Sequence, residues 1–264
     1  MDAAALSVRS GREATVRSLW IAAALAAALG TGSATATPLD AAALSAVVAD
    51  PARPEADRAR DADRKPADLL AFAKVGPGQV VVDLLPGGGY FTRLFSKAVG
   101  PKGRIYAVLP ESAAKADKPP PVTAVAANPA FGNVKVAFAD FAKMALPERA
   151  DVIWTSQNYH DLHLARMNVD VAAVNRAIFA ALKPGGIFVV VDHAAAPGAP
   201  LDAAETLHRI DPAIVRREVE AAGFRFEGES RVLRNRSDDH AKKVFDPAIR
   251  GHTDQFAYRF RKPE

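Results

Sequence analysis

The chain has 264 residues, 49% of them hydrophobic, enough for one sizeable α/β core and too few for two large domains. It has no cysteine, which excludes a disulfide framework, a thiolate nucleophile and a Cys-based zinc site. The formal net charge is +4, with the basic residues scattered and no basic stripe interleaved with aromatics, so nucleic acid is not an expected partner.

In chain order, Arg9, Arg12 and Arg17 precede an apolar run over residues 19–29, followed by Ala34-Thr35-Ala36. A basic start, a short apolar stretch and a small-residue site read as a secretory signal peptide over residues 1–36, cleaved after Ala36. The run is too short for a comfortable bilayer span, so no stable membrane span is expected after cleavage. The mature chain is expected in the periplasm or otherwise exported. Residues 40–48 suit a short helix stopped by Asp50-Pro51. Residues 51–65 are charged and proline-containing and read as a solvated helix or linker. Residues 37–65 are thus an N-terminal extension, and residues 66–264 the main domain.

Pro66 sits well as the first residue of a helix through Leu69, Leu70 and Phe72. Val80, Val81, Val82 and Leu84 form the short apolar run of a central parallel strand. Gly87, Gly88 and Gly89 follow, then Phe91, Leu94, Phe95 and Ala98 at helical spacing, stopped by Gly100-Pro101. A strand feeding a glycine turn and a helix is the usual way an α/β sheet holds a nucleotide-like ligand. Further strands are expected over residues 104–109, 134–138, 151–155 and 187–191, with a helix over 169–182. Residues 115–129, with Pro119-Pro120-Pro121, read as a surface segment. Asp211-Pro212 opens a helix to Ala222, and β-like segments near 224–233 and 256–260 follow with no obvious crossover helix between them. Alternating strands and helices predict a mostly parallel sheet covered on both faces, and the last two segments an antiparallel pair at its edge.

Asn158, Tyr159, His160, Asp161 and His163 follow the fourth strand, and Asp192 and His193 the fifth. In an open α/β sheet these strand ends are neighbours along the ligand crevice. His160, Asp161, His163, Asp192, His193 and His208 are of metal-ligating types, but none falls in a diagnostic spacing, so no metal is expected. Asp83 suits either a turn cap or a ligand contact, Glu111 a helix start or a ligand contact, and Asp140 a strand-end turn or a ligand contact.

Asp83-Leu-Leu-Pro-Gly-Gly-Gly-Tyr90, Asn158-Tyr159-His160-Asp161-Leu162, Lys183-Pro184-Gly185-Gly186 and the terminal β-pair together resemble the class I S-adenosylmethionine-dependent methyltransferases. With the charged segment 53–65 and Val244-Phe245-Asp246-Pro247, they look like a bacterial group of predicted exported methyltransferases. The resemblance covers residue 66 to the C-terminus. It implies an α/β, Rossmann-like, doubly wound and mostly parallel seven-stranded sheet with an antiparallel C-terminal strand pair. It also implies S-adenosyl-L-methionine as cofactor, held by Asp83, Gly87, Gly88 and Gly89 at its methionine end, by Glu111 at the ribose, by Asp140 at the adenine, and by Asn158. His160 would be the general base toward an unidentified small-molecule acceptor, with Asp161 and Tyr159 beside it and Asp192, His193 and His208 toward the acceptor. Asp161 and Asp192 are both candidates for orienting His160. The sequence departs from the family at Leu85, where the first glycine of the turn belongs, and at Leu109, where an acidic residue belongs, with Glu111 two residues later. Two other readings are a non-catalytic periplasmic binding protein on the same fold and a nicotinamide-linked oxidoreductase. The latter's G-x-G-x-x-G fingerprint fails at Thr92.

Overall fold

The computed structural model describes residues 37–264. The leader read over residues 1–36 lies outside them. Seven strands, β1 (Val80–Leu84), β2 (Arg104–Pro110), β3 (Val134–Ala139), β4 (Ala150–Ser156), β5 (Leu182–His193), β6 (Arg225–Ser230) and β7 (Gln255–Arg261), form one sheet in the order β3-β2-β1-β4-β5-β7-β6. The first five pair in parallel, and β7 runs antiparallel to both β5 and β6. The expected antiparallel pair is present, with β7 inserted between β5 and the edge strand β6.

Nine helices flank the sheet among the described residues: α1 (Ala41–Val48), α2 (Glu55–Arg58), α3 (Asp61–Arg64), α4 (Pro66–Phe72), α5 (Tyr90–Val99), α6 (Thr123–Ala126), α7 (Val171–Ala181), α8 (Ala203–Leu207) and α9 (Pro212–Ala221). Local chemistry sets several starts. Asp40, Asp170 and Asp211 cap α1, α7 and α9 by accepting from the backbone N–H of Ala43, Ala172 and Ala213. Pro66 and Pro212 occupy first-turn positions, where the missing N–H costs nothing.

Strand periodicity divides the core in two. Val81, Ile105, Val152 and Val189 join Leu69, Leu94, Phe95 and Trp154 on one face; Val80, Val82, Ile153 and Phe188 join Ile178, Val215 and Phe260 on the other. Alternate residues of a strand point to opposite faces, and here both faces are covered, so β1 is buried at every position. Each large aliphatic side chain so placed contributes about 1.5–3 kcal/mol of transfer free energy. Among the described residues, no helix is long and apolar enough to cross a membrane.

Of the two readings of residues 51–65, the solvated helix holds in α2 and α3 and the linker does not, and residues 37–65 are not set apart from the domain. Leu44 and Val47 of α1 pack in the same core as Leu69 and Phe95. Arg53 is buried, with its guanidinium on both carboxylate oxygens of Asp61 at 2.6 and 2.8 Å and on the carbonyl of Val48. The Tyr90 hydroxyl donates to Asp61 at 2.5 Å, and Arg93 donates to Asp57 at 2.9 Å. Arg64 lies over the rings of Tyr90 and Phe91, 4.4 and 5.0 Å from their centroids. Arg53, Asp57, Asp61 and Arg64 face inward, where α5 begins with two aromatic rings that guanidinium planes cover, while Glu55, Arg58, Arg60, Asp63 and Lys65 stay exposed.

Candidate functional site

The chain leaves β1 through a turn at the rim of the sheet. Leu85 there adopts φ +55, the left-handed region that disfavours a side chain, and its N–H donates to the Val108 carbonyl. That conformation is why a glycine is usual at this place. Gly89 has φ +79, and a Cβ on it would stand 2.7 Å from Val125 Cγ2, so the turn requires glycine twice over. Gly87 and Gly88 differ: a Cβ on either would meet nothing within 4 Å, because both border open space. That space is a cleft of about 450 Å³ lined by Asp83, Leu85, Gly87, Gly88, Asn158 and Asp161, with Leu109 and Arg64 on its walls.

Asp83 stands buried behind the turn and accepts from the Thr92 hydroxyl at 2.6 Å. Thr92, which breaks the dinucleotide fingerprint, is thus the partner of the Asp83 carboxylate. Burial pushes Asp83 up to about 7, against the Thr92 hydrogen bond and the charge of Arg64. Asn158 donates to the Leu85 carbonyl at 2.5 Å, while its buried Oδ1 has no hydrogen-bond partner among the described residues.

At the ends of β4 and β5 the structure assembles the polar cluster. Gln157, at φ +63, turns the chain after β4, and its N–H bonds the Val191 carbonyl, so the residues after β4 sit against the end of β5. Asp192 is fully buried. It accepts from the His160 backbone N–H at 2.7 Å, from His160 Nδ1 at 2.8 Å and from the His193 backbone N–H at 2.8 Å. Burial would raise its pKa, but His160 and these donors outweigh that and hold it below the ordinary carboxylate range. An ionised Asp192 fixes the proton of His160 on Nδ1 and leaves Nε2 with its lone pair. Burial alone would lower the pKa of His160, yet Asp192 raises it above that of a free imidazole. Asp192, rather than Asp161, orients His160.

His160 Nε2 lies 3.7 Å from Asp161, which lines the cleft, and ring nitrogens of His160 and His208 lie within 4.8 Å of each other and of an Asp161 oxygen. Burial raises the pKa of Asp161, against His160 and Arg166. His193 is pushed down to about 4 by burial and is therefore neutral near pH 7; its Nδ1 meets the Thr253 hydroxyl at 2.7 Å.

Three predicted residues lie elsewhere. Glu111 opens an exposed 3-10 turn, because β2 continues one residue further, to Pro110. Asp140 caps the turn after β3 by accepting from Ala142, with Lys143 at 3.3 Å. Neither lines the cleft, whereas Leu109 does. The Tyr159 ring is wholly buried, and its hydroxyl is held by Glu218 at 2.9 Å and Asn175 at 2.7 Å, a packing position in the helical layer. Sequence reasoning in turn missed Arg64, which walls the cleft from the segment read as linker.

No family model and no curated protein matches the chain. Solved structures do. A SAM-dependent methyltransferase from Aquifex aeolicus is 18% identical, over 85% of this chain and 99% of that one, with a TM-score of 0.56. A putative sarcosine dimethylglycine methyltransferase from Galdieria sulphuraria is 15% identical, over 76% and 85%, with a TM-score of 0.53. The N-methyltransferase NodS from Bradyrhizobium japonicum is 14% identical, over 79% and 99%, with a TM-score of 0.51. At these identities the likeness is one of fold: the sheet is that of the Rossmann-like class I methyltransferases.

Proposed function

We propose that the protein is an S-adenosylmethionine-dependent methyltransferase acting on a small-molecule acceptor. The observation that carries this reading is the cleft beside the glycine turn: open over Gly87 and Gly88, backed by the Asp83 carboxylate, and holding an unpartnered buried acceptor on Asn158. These are fitting partners for an amino-acid end bearing an ammonium and for an amide-seeking N–H. The fold likeness to methyltransferases supports it. Neither the non-catalytic reading nor the nicotinamide reading has comparable support.

S-adenosylmethionine supplies an electrophilic methyl group when bound. The backbone of residues 87–89 and Asp83 would hold its methionine end, Asn158 a donor group, and Leu109 an apolar wall. His160 Nε2, which carries the lone pair in the neutral tautomer that the Nδ1–Asp192 bond selects and is made more basic by Asp192, would accept the proton of an acceptor hydroxyl or amine, with Asp161 at the cleft face. Most of the acceleration would come from holding the reactants in contact while Arg64 and the α2–α3 segment exclude water. The leader pattern of residues 1–36 supports the reading that this chemistry belongs to an exported protein.

Calorimetry tests the ligand class. S-adenosylhomocysteine is expected to bind the protein with one site per chain and NAD is not; absence of heat with both S-adenosylmethionine and S-adenosylhomocysteine sinks the proposal. The same titration carries a pH prediction. With its pKa at about 7, Asp83 is partly protonated in the free protein, and an ammonium favours its ionised form. Affinity for S-adenosylhomocysteine should therefore rise with pH, by up to about tenfold per unit below pH 7, and level off above it. Asp83→Asn should flatten this profile and lower the plateau affinity by about ten- to a hundredfold, the worth of one charge-assisted hydrogen bond. An unchanged profile in Asp83→Asn would remove Asp83 from the site.

A further inference from the structure

Beyond the cleft lies a second hollow of about 400 Å³, over the ends of β4 and β5 and under the irregular stretch that precedes β7. The two share Arg60, Arg64, Phe91, Ser156 and Gln157 as lining, so they adjoin along Arg64. With the shared Arg60 and Arg64 counted in both, the charges of the cleft balance and those of the second hollow do not. The cleft alone has Asp83 and Asp161; the second hollow alone has Arg250, with Asp63 its only carboxylate. Three arginines thus face one aspartate there.

Internal pairing does not cancel this excess. Arg60 is engaged by Asp57 at 2.9 Å, and Asp63 faces His252 at 3.6 Å. Arg64 and Arg250 have no carboxylate within 4 Å among the described residues, and the hydrogen bond Arg64 makes is a 3.4 Å contact to the Ser156 hydroxyl. A guanidinium laid over Tyr90 and Phe91, with Asp83 and Asp57 near it but no carboxylate in direct contact, is desolvated at a cost that an incoming anion would offset. Burial accordingly lowers Arg64 to about 10. Beside the polar Ser156, Gln157, His193 and Gln255, the lining has an apolar part, Val244, Leu233 and Phe245, the last 57% exposed although it meets His208 edge-on at 4.9 Å. An exposed aromatic at the mouth of a hollow is a surface awaiting a cover.

We infer that the second hollow is the acceptor pocket, and that its occupant is an organic oxyanion with an apolar body, its head group met by Arg64 and Arg250. A cationic donor beside carboxylates and an anionic acceptor beside arginines would be steered to adjoining places by charge. His193, neutral and on the wall of this hollow, stands 6.1 Å from His160, centroid to centroid, so one side chain separates the acceptor side from the His160–Asp192 pair. The inference rests on the methyl-transfer reading only in calling the anion the acceptor.

The test is calorimetry at fixed ionic strength with three probes of one shape, 4-hydroxybenzoate, phenyl phosphate and the neutral 4-hydroxybenzamide, each with and without saturating S-adenosylhomocysteine. At least one charged probe should bind about tenfold or more tighter than the neutral one, as a charge-assisted bond implies. The tighter of the two charged probes names the head group, carboxylate or phosphate. Arg250→Gln, a change at an exposed position whose unchanged melting temperature separates it from unfolding, should erase most of that preference while leaving S-adenosylhomocysteine affinity within about twofold; Arg250→Lys should restore part of it. Arg64→Gln should erase the preference too, and a simultaneous loss of S-adenosylhomocysteine affinity would show that Arg64 also serves the donor. Equal binding of charged and neutral probes, no binding by any of them, or an unchanged preference in Arg250→Gln overturns the inference. If S-adenosylhomocysteine fails to bind while the anion preference persists, the methyl-transfer reading falls and the anion pocket stands.

Discussion

His160→Ala should lower methyl transfer by about 10²–10⁴-fold, the usual worth of a positioned general base, while leaving the affinity for S-adenosylhomocysteine within about twofold. The separation follows from where the side chain sits. His160 is buried against Asp192 and touches the cleft only by way of Asp161, whereas the donor-holding groups lie at Asp83, the glycine turn and Asn158. The measurement is S-adenosylhomocysteine formed with whichever acceptor the wild type turns over, set beside calorimetry of the same variant. If affinity and turnover fall together, the imidazole belongs to the donor site.

Asp192 is a positioning residue in this scheme, and the pH profile distinguishes that role from mere support. The base works only when unprotonated, so activity should rise with pH through the His160 pKa. Asp192 raises that pKa, and the acid limb should therefore lie above the free-imidazole value of about 6.5. Asp192→Asn takes away the charge that raises it; the acid limb should move to lower pH even as the maximal rate drops. For stability the signs are opposite for the two partners. The raised His160 contributes below its unfolded pKa and the contribution is lost as pH rises through the folded one. The lowered Asp192 contributes above its unfolded pKa and loses that as pH falls through the folded one.

Much of this geometry is legible in the sequence, and the illegible part has a physical cause. Val80–Leu84 announces a central strand because a run of β-branched residues has no other buried use at that length. Asp192 and His160 are both visible as polar residues at consecutive strand ends, and strand adjacency alone brings them together. Residues 51–65 mislead because composition reports how many charges there are, not what each one meets. Arg53 finds Asp61 eight residues on, but Asp57 finds Arg93 thirty-six residues on, across the start of α5. The signal that was available is Tyr90-Phe91 directly after three glycines: two aromatic rings at a turn otherwise open to solvent imply a lid. Glu111 and Asp140 fail for a smaller reason. A strand one residue longer than expected moves the next side chain off the rim, and a cap satisfied by its own turn has nothing left for a ligand.

Asp238→Ala should destabilise the fold by about 3–5 kcal/mol, because it leaves Arg209 as a buried charge without its counter-charge. Arg209 and Asp238 are both sealed from solvent and joined by two bonds, at 2.8 and 3.0 Å; Arg209 also donates to the carbonyls of Ala194 and Lys242 at 3.0 Å each. Asp238 further accepts from the N–H of Asp254 at 2.7 Å and of His240 at 3.0 Å. The pair therefore pins residues 234–254, which have no regular secondary structure, to the exit of β5. Those residues carry Val244, Phe245 and Arg250 of the second hollow, so their order depends on side-chain anchors, this buried pair and the contacts of Asp254 with Asn235, Arg234 and His240, rather than on a helix or a ladder. Urea denaturation of Asp238→Ala against wild type measures the loss, and a change below about 1 kcal/mol would mean that the stretch is held by something else. A double replacement, Arg209→Met with Asp238→Leu, should be less costly than Asp238→Ala alone, since it removes both charges from the interior. The double variant should nonetheless lose the anion preference of the hollow more than its stability, because apolar packing can replace the energy of the pair but not the four carbonyl and N–H bonds that place the backbone of residues 234–254.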